Sequence, residues 1–450
     1  MQNVRFDDPR SISSSLAANI AFRAVAELVR EQRRAYDLPP LATHPNDEMW
    51  RWSVLNDDTW DIAVFAYYRA GLAIAETLRS IVEIHEKALG RPVRRILDFA
   101  CGYGRSLRFS AIDLGRERLW GAEILPAAVE FVSETFGVHS FESCSVPEDL
   151  RCDERFDVIF VSSLFSHLPR ETFTRWLRTL HSLLTPVGLL CVSVHDAVML
   201  PPGAEMSEDG FSFQALTEVD ALETTDYGAT VVCEEFMAGA IKDATGQERY
   251  RRLPTTLCFA QDMYLIPASN TVLLSADRLS HGAQGCIDHC DISDDLVLHA
   301  HGWAGIQDDH DAVSTVEMRI GGRFVASALT GTPRPDVATA FHQPASSDLA
   351  QSGWSCDVIL DFAPTCDEVV MLTALTRLGR RDVVWSTPLN ALHAGLETPV
   401  AAGAHGADTL LRRPPRLSHR AFEYARRAIR GRDRIRRQRA EQRAGAGTRS

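Results

Sequence analysis

The sequence predicts an α/β fold, a largely parallel sheet covered by helices, followed by a separate all-β region. Three observations predict it. Short apolar runs alternate with helical spacing between 94 and 194; a glycine-rich turn directly follows the first run; and after 271 the pattern changes to short alternating runs punctuated by Gly, Pro and Asp. At 450 residues the chain has room for two domains and tails, and 45% hydrophobic residues supply their cores.

The elements follow in order. Residues 11–36 place Ala18, Ile20, Ala21, Ala24, Val25, Leu28 and Val29 at helical spacing, and a Pro-containing loop at 38–46 ends that helix. A second helix is predicted over 61–89, and the two form an N-terminal helical cap, residues 1–90. The runs ILDF (96–99), LWGAE (119–123), FDVIFV (156–161) and GLLCVSV (188–194) read as strands, with helices over 125–136 and 170–184 between them. Ligands of such a sheet bind outside the carboxyl ends of its strands. After a loop at 201–226, further strands are predicted at 229–236 and 258–266, with a helix near 238–244 between them. From 271 the runs LVLHAHGWA, STVEMRIGGRFVASAL and WSCDVILDF have the grammar of an antiparallel sandwich or barrel. The predicted division is therefore 1–90, 91–270, 271–395 and a basic flexible tail, 396–450.

From 411 to 450 the chain holds fourteen Arg against three acids, so this stretch carries +11 and the remainder -24 against a net of -13. The tail reads as a solvated segment; contact with an anionic surface is the alternative. The acidic remainder opposes nucleic acid, and no stripe of basic and aromatic residues offsets it. The opening MQNVRFDDPR contains no apolar h-region, and no apolar run is long enough to cross a bilayer, so the expected location is cytoplasmic. Ten cysteines without a CxxC pair read as reduced thiols. Cys286, His289, Cys290, His299 and His301 match no familiar zinc spacing, and no metal is expected.

The chemistry concentrates at ILDFACGYGR, 96–105: an apolar strand, the carboxylate of Asp98, a turn with Gly102 and Gly104, then a helix beginning near Ser106. Such glycines let the backbone approach a ligand where a Cβ would collide. A dinucleotide would want a third glycine where Leu107 stands, and Asp98 would repel its phosphates. S-adenosyl-L-methionine (SAM) instead presents an ammonium that Asp98 can meet, directly or through water. Glu123 ends the next strand, where a carboxylate accepts from both ribose hydroxyls.

These residues resemble the class I, Rossmann-like SAM-dependent methyltransferases. ILDFACGYGR is similar to the family's first motif with Ala100 at the usual first glycine, Glu123 to its acidic second motif, and FDVIFVSSLFSHLP (156–169) to its fourth. The resemblance implies a seven-stranded sheet whose last two strands would be 229–236 and 258–266, one of them antiparallel. It implies SAM as cofactor, held by Asp98, Ala100, Gly102, Gly104, Glu123, Ser162 and, from AYYRAG (66–71), Tyr67 or Arg69 on the cofactor carboxylate.

Methyl transfer requires alignment of the acceptor and, for a hydroxyl, removal of its proton. Ser162, Ser163, His167, His195 and Asp196 are expected at the strand ends, with His195, Asp196 and His167 as candidate catalytic residues. Where amino-methyltransferases carry [DNS]-P-P-[YFW], this chain reads SSLF (162–165), and Cys101 and Cys191 lack a Pro-Cys context. The C-terminal region is similar to sandwich modules attached to enzymes of bacterial glycan assembly. Its Asp288, Trp303, Arg334 and Asp336 suit sugar binding, and suit a buried Trp beside a structural ion pair equally well. The expected function is O-methylation of a sugar or glycan-related acceptor. Its alternatives are a small-metabolite methyltransferase and a non-catalytic scaffold whose β domain binds glycan or protein. Homo-oligomerisation stays open.

Overall fold

A computed structural model describes residue 40 and residues 42–50, 60–200, 205–215, 227–258, 261–270, 272, 282–306, 311–341, 343–365 and 368–389. The helix expected at 11–36 and the tail at 396–450 lie outside the described residues. A nine-stranded sheet forms the larger layer. Strands β1 (Ile96–Phe99), β2 (Leu119–Glu123), β3 (His139–Glu142), β4 (Phe156–Val161) and β5 (Leu184–Asp196) run parallel in the spatial order β3-β2-β1-β4-β5.

β1 and β4 are buried at every residue, as strands covered on both faces must be. The period-two alternation divides them between two cores. Ile96, Val158 and Phe160 join the cluster lined by helices α1 (Trp60–Leu89), α2 (Leu107–Asp113) and α3 (Pro126–Phe136). Leu97, Phe99, Ile159 and Val161 join the cluster lined by α4 (Arg170–Ser182) and α5 (Glu234–Thr245).

Several expectations are corrected here. The run at 229–236 shortens to β7 (Ala229–Val232), which lies beside β5 in the order β5-β7-β6, pairing with β6 (Phe211–Gln214) and with only the carboxyl end of β5, at His195 and Asp196. The run at 258–266 is β9 (Gln261–Pro267), antiparallel beside the body of β5 and hairpinned to β8 (Arg251–Leu257). β8 escaped the sequence because RRLPTTL opens on two arginines and contains a proline. β3 escaped because HSFE is a short edge strand without apolar alternation. The sheet therefore has nine strands where seven were expected.

The C-terminal residues form two antiparallel sheets. One joins β10 (Gln284–Ile292), β11 (Val297–Gly305) and β14 (Gly353–Ile359); the other orders β13 (Arg323–Leu329), β12 (Val313–Ile320), β15 (Val369–Thr376) and β16 (Arg381–Pro388). They share one buried cluster that includes Leu298, Trp354, Met318, Leu372 and Val384. The RIGGRF hairpin turns at Gly321 and Gly322, whose φ of +55° and +79° are the left-handed pair that a two-residue turn requires. Among the described residues no helix is long and apolar enough to cross a membrane.

Candidate active site

Because β1, β2, β4 and β5 are parallel, their carboxyl ends bring Asp98, Glu123, Ser162 and His195 to one edge of the sheet. Asp98 is enclosed, and its described hydrogen bond, from the Ser106 hydroxyl, is long at 3.4 Å. Burial, with the Glu123 charge adding, pushes its carboxyl up to about 7. Glu123 accepts from the backbone N–H of Gly102 and of Ile124, both at 2.8 Å; burial raises its carboxyl in spite of these bonds. Two buried carboxylates thus flank one turn, an arrangement suited to a cationic ligand that also offers hydroxyl donors and unsuited to a phosphate.

The turn is bent at three alternate positions with left-handed backbone. Ala100, Gly102 and Gly104 have φ of 59°, 56° and 75°. At Gly102 a Cβ would meet nothing within 4 Å, so open space lies there for a ligand. At Gly104 a Cβ would stand 2.5 Å from the Phe136 ring, so helix packing, rather than a ligand, excludes a side chain. Ala100 holds its left-handed backbone with a Cβ, a strained choice where glycine costs nothing.

The sequence reading missed the residues that brace this turn. Arg108 is fully buried; it donates to the carbonyls of Pro40 and Ala42, both at 3.1 Å, to that of Gly104 at 3.3 Å, and to the Tyr67 hydroxyl at 3.3 Å. Tyr67 in turn donates to Asp47 at 2.5 Å. The Tyr67 hydroxyl is thus engaged inside the protein, and its reach is to Arg108 and Asp47. Arg69 turns the other way, its guanidinium 5.5 Å from the Trp385 ring centre in the C-terminal sheets. Gly71 lets α1 press on the turn, since a Cβ there would collide with the Arg105 carbonyl. A lone glycine inside a helical pattern was the available signal. His44 stacks on Tyr103 at 4.4 Å, laying the segment before α1 against the same turn.

On the acceptor side, β9 starts at the edge where β5 ends, which delivers Gln261, a residue no motif marked. Ser163, left-handed at φ 67°, donates its N–H to Ser193 Oγ at 2.8 Å. Ser193 donates to Gln261 Oε1 at 2.6 Å, and Gln261 Nε2 donates to Ser163 Oγ at 2.9 Å. The same amide nitrogen lies 3.3 Å from Nε2 of His195. Burial lowers His195 to about 4, with the nearby His167 adding. His167 binds the Gly228 carbonyl through Nδ1 at 2.8 Å and stacks on Tyr227 at 4.5 Å; burial lowers it also. Both rings are neutral at neutral pH.

Asp196 differs from the two histidines. It caps the following turn through the Val198 N–H at 3.0 Å and meets Arg252 at 2.9 Å, in a cluster with Asp262 and Glu234. Ser162 is half-buried just past β4. In the C-terminal sheets, Arg334 is bound by Asp288 at 2.6 Å and Asp336 at 2.9 Å, and Trp303 is 6% exposed, so a structural ion pair beside a buried Trp accounts for them. Cys290 points into the core while His289, His299 and His301 stand on the solvent face, so the cysteine and histidines do not converge. Among the described residues no group of three such side chains could hold a metal as they stand.

Residues 96–188 match the family described as a methyltransferase domain. No curated protein matches the chain. Among solved structures it is similar to DesVI of Streptomyces venezuelae, at 15% identity and TM-score 0.34 over 45% of this chain and 95% of that one. It is similar to the 1,6-didemethyltoxoflavin-N1-methyltransferase of Burkholderia thailandensis, at 17% and TM-score 0.31 over 51% and 92%. A third is the glycopeptide N-methyltransferase MtfA with bound S-adenosyl-L-homocysteine, at 17% and TM-score 0.29 over 41% and 84%. Likeness at this level has no bearing on the acceptor.

Proposed function

We propose that the chain is a SAM-dependent methyltransferase that methylates a hydroxyl of a sugar or glycan-related acceptor. The residues present fit the cofactor. Asp98 is a buried carboxyl short of partners that an ammonium would satisfy, Glu123 keeps lone pairs beyond its two backbone bonds for ribose hydroxyls, and Gly102 leaves open space between them. Ala100 and Gly104 shape the turn, Tyr67 braces it through Arg108, and Ser162 follows β4 at the same edge of the sheet. Bound SAM supplies a methyl group on a positively charged sulfur.

One observation carries the acceptor class. The side chains gathered near the ends of β4 and β5, Ser163, Gln261, His195 and His167, are uncharged hydrogen-bonding groups braced by the buried Ser193. Such a surface suits a neutral polyhydroxyl acceptor and offers a neutral imidazole to take a proton. The two C-terminal sheets read as a sandwich-like domain beside the methyltransferase domain, placed in the cytoplasm with the precursors of cell-surface glycans.

The test is transfer of labelled methyl from SAM to free sugars, nucleotide sugars and oligosaccharides, beside amines of the same frameworks. O-methylated product located by NMR supports the proposal; turnover confined to amines sinks it.

A further inference from the structure

We infer that Gln261 is a positioning residue that keeps His195 out of proton transfer and leaves Nε2 of His167 as the proton acceptor. The inference deepens the hydroxyl reading above and rests on it. Its starting point is a chain of hydrogen bonds whose shortest contacts share one direction, the alternatives to the Val161 carbonyl from Ser193 Oγ and to Gln261 Oε1 from Ser163 Oγ being longer at 3.5 and 3.3 Å. The Ser163 backbone N–H must donate, so Ser193 Oγ accepts it at 2.8 Å and spends its own hydrogen on the nearest acceptor, Gln261 Oε1 at 2.6 Å. That orients the amide: Nε2, with two hydrogens, faces Ser163 Oγ at 2.9 Å and Nε2 of His195 at 3.3 Å. With an N–H presented to its Nε2 and the Thr230 backbone also bonded to the ring, His195 keeps its hydrogen on Nδ1 and its one lone pair is covered.

His167 is held in the same tautomer for a different reason. A carbonyl can only accept, so the 2.8 Å contact between Nδ1 and Gly228 O places the hydrogen on Nδ1. The lone pair then sits on Nε2, which has no protein donor among the described residues. Stacking on Tyr227, with 8° between ring planes, fixes the direction of that lone pair. A base oriented by a carbonyl behind it, with its other nitrogen open, is the arrangement general-base catalysis needs. In the transfer, the acceptor's hydroxyl proton moves to Nε2 of His167 as the oxygen–methyl bond forms and the methyl–sulfur bond breaks. The ring ends protonated, and the sulfur leaves as a neutral thioether.

Nitrogen-15 NMR of the imidazoles in the full chain, with calorimetric SAM binding and acceptor kinetics, tests this. In the wild type at pH 7 both rings should carry hydrogen on Nδ1. Gln261→Glu keeps the size but replaces the donor by an acceptor, and should place a hydrogen on His195 Nε2 while leaving His167 unchanged. His167→Gln should lower kcat by about 10²–10⁴, the usual worth of a general base, with the SAM Kd held within about twofold. A wild-type His195 with hydrogen on Nε2, a His195 tautomer indifferent to Gln261→Glu, or a His167→Gln kcat within about threefold of wild type overturns the inference. Wild-type tautomers as expected, together with turnover on amines alone, overturn the hydroxyl reading instead and leave Gln261 assigned to His195.

Discussion

Replacing Asp98 by Asn should strengthen the folded chain and weaken its cofactor affinity, and the size of the first effect follows from burial. In the ligand-free protein the Asp98 carboxyl is raised from 3.8 to about 7, chiefly by desolvation. The folded chain therefore holds a proton that the unfolded chain has lost between those values, and stability falls as pH rises through that window. At about 1.4 kcal/mol per pH unit, the ionised carboxylate destabilises the empty protein by about 4 kcal/mol at pH 8. Asp98→Asn, which cannot ionise, should recover about that much at pH 8 and only about 1.6 kcal/mol at pH 5. Loss of the charged partner for an ammonium should cost about 2–3 kcal/mol of SAM affinity, roughly 30- to 150-fold. For the wild type, SAM Kd should rise about tenfold per unit below pH 7, where the proton must be displaced. Urea unfolding of both proteins at pH 5 and 8, with calorimetry of SAM binding, reads all of this. An Asn variant no more stable than wild type at pH 8, or equally strong in SAM binding, would refute the reasoning.

Three further outcomes are expected. Gly71→Ala drives a methyl into the Arg105 carbonyl, and thermal unfolding should show a loss of about 1–3 kcal/mol together with weaker SAM binding. Arg108→Met removes the cation that serves four oxygens and leaves them without their donor; denaturant titration should show a loss of about 1–3 kcal/mol for each oxygen left unsatisfied. Ala100→Gly relieves a left-handed alanine worth about 1–2 kcal/mol, partly offset by the greater freedom of glycine in the unfolded chain, so a net gain of about 0.5–1 kcal/mol should appear as a raised Tm.

How much of this chain was legible before folding depends on sequence distance. The strands Ile96–Phe99, Leu119–Glu123 and Phe156–Val161 coincide with the apolar runs, because a strand buried on both faces must be apolar throughout, and that is a local property. The turn at Asp98, Gly102 and Gly104 was equally local, since strand, carboxylate, glycines and helix start all fall within ten residues. Likewise the change to antiparallel sheets after 271 was written in period-two alternation and the Gly-Gly turn. What escaped was non-local or against type. Arg108 reads as a surface residue of a short helix, and only Pro40, Ala42 and Tyr67, far away in sequence, supply the oxygens that compensate its burial. Gln261 carries no motif, and its meaning comes from β9 lying antiparallel against β5, which sets it between Ser163 and His195.

The sequence by itself determined the sheet type, the cofactor turn and the set of strand-end polar residues, since each follows from side-chain size, charge and spacing over a few positions. Only the tertiary structure decided which of those residues are engaged elsewhere, Asp196 with Arg252 and Tyr67 with Asp47, and which keep an open lone pair. Hydrogen-bond direction is a property of partners brought together in space, and those partners lie tens of residues apart along the chain.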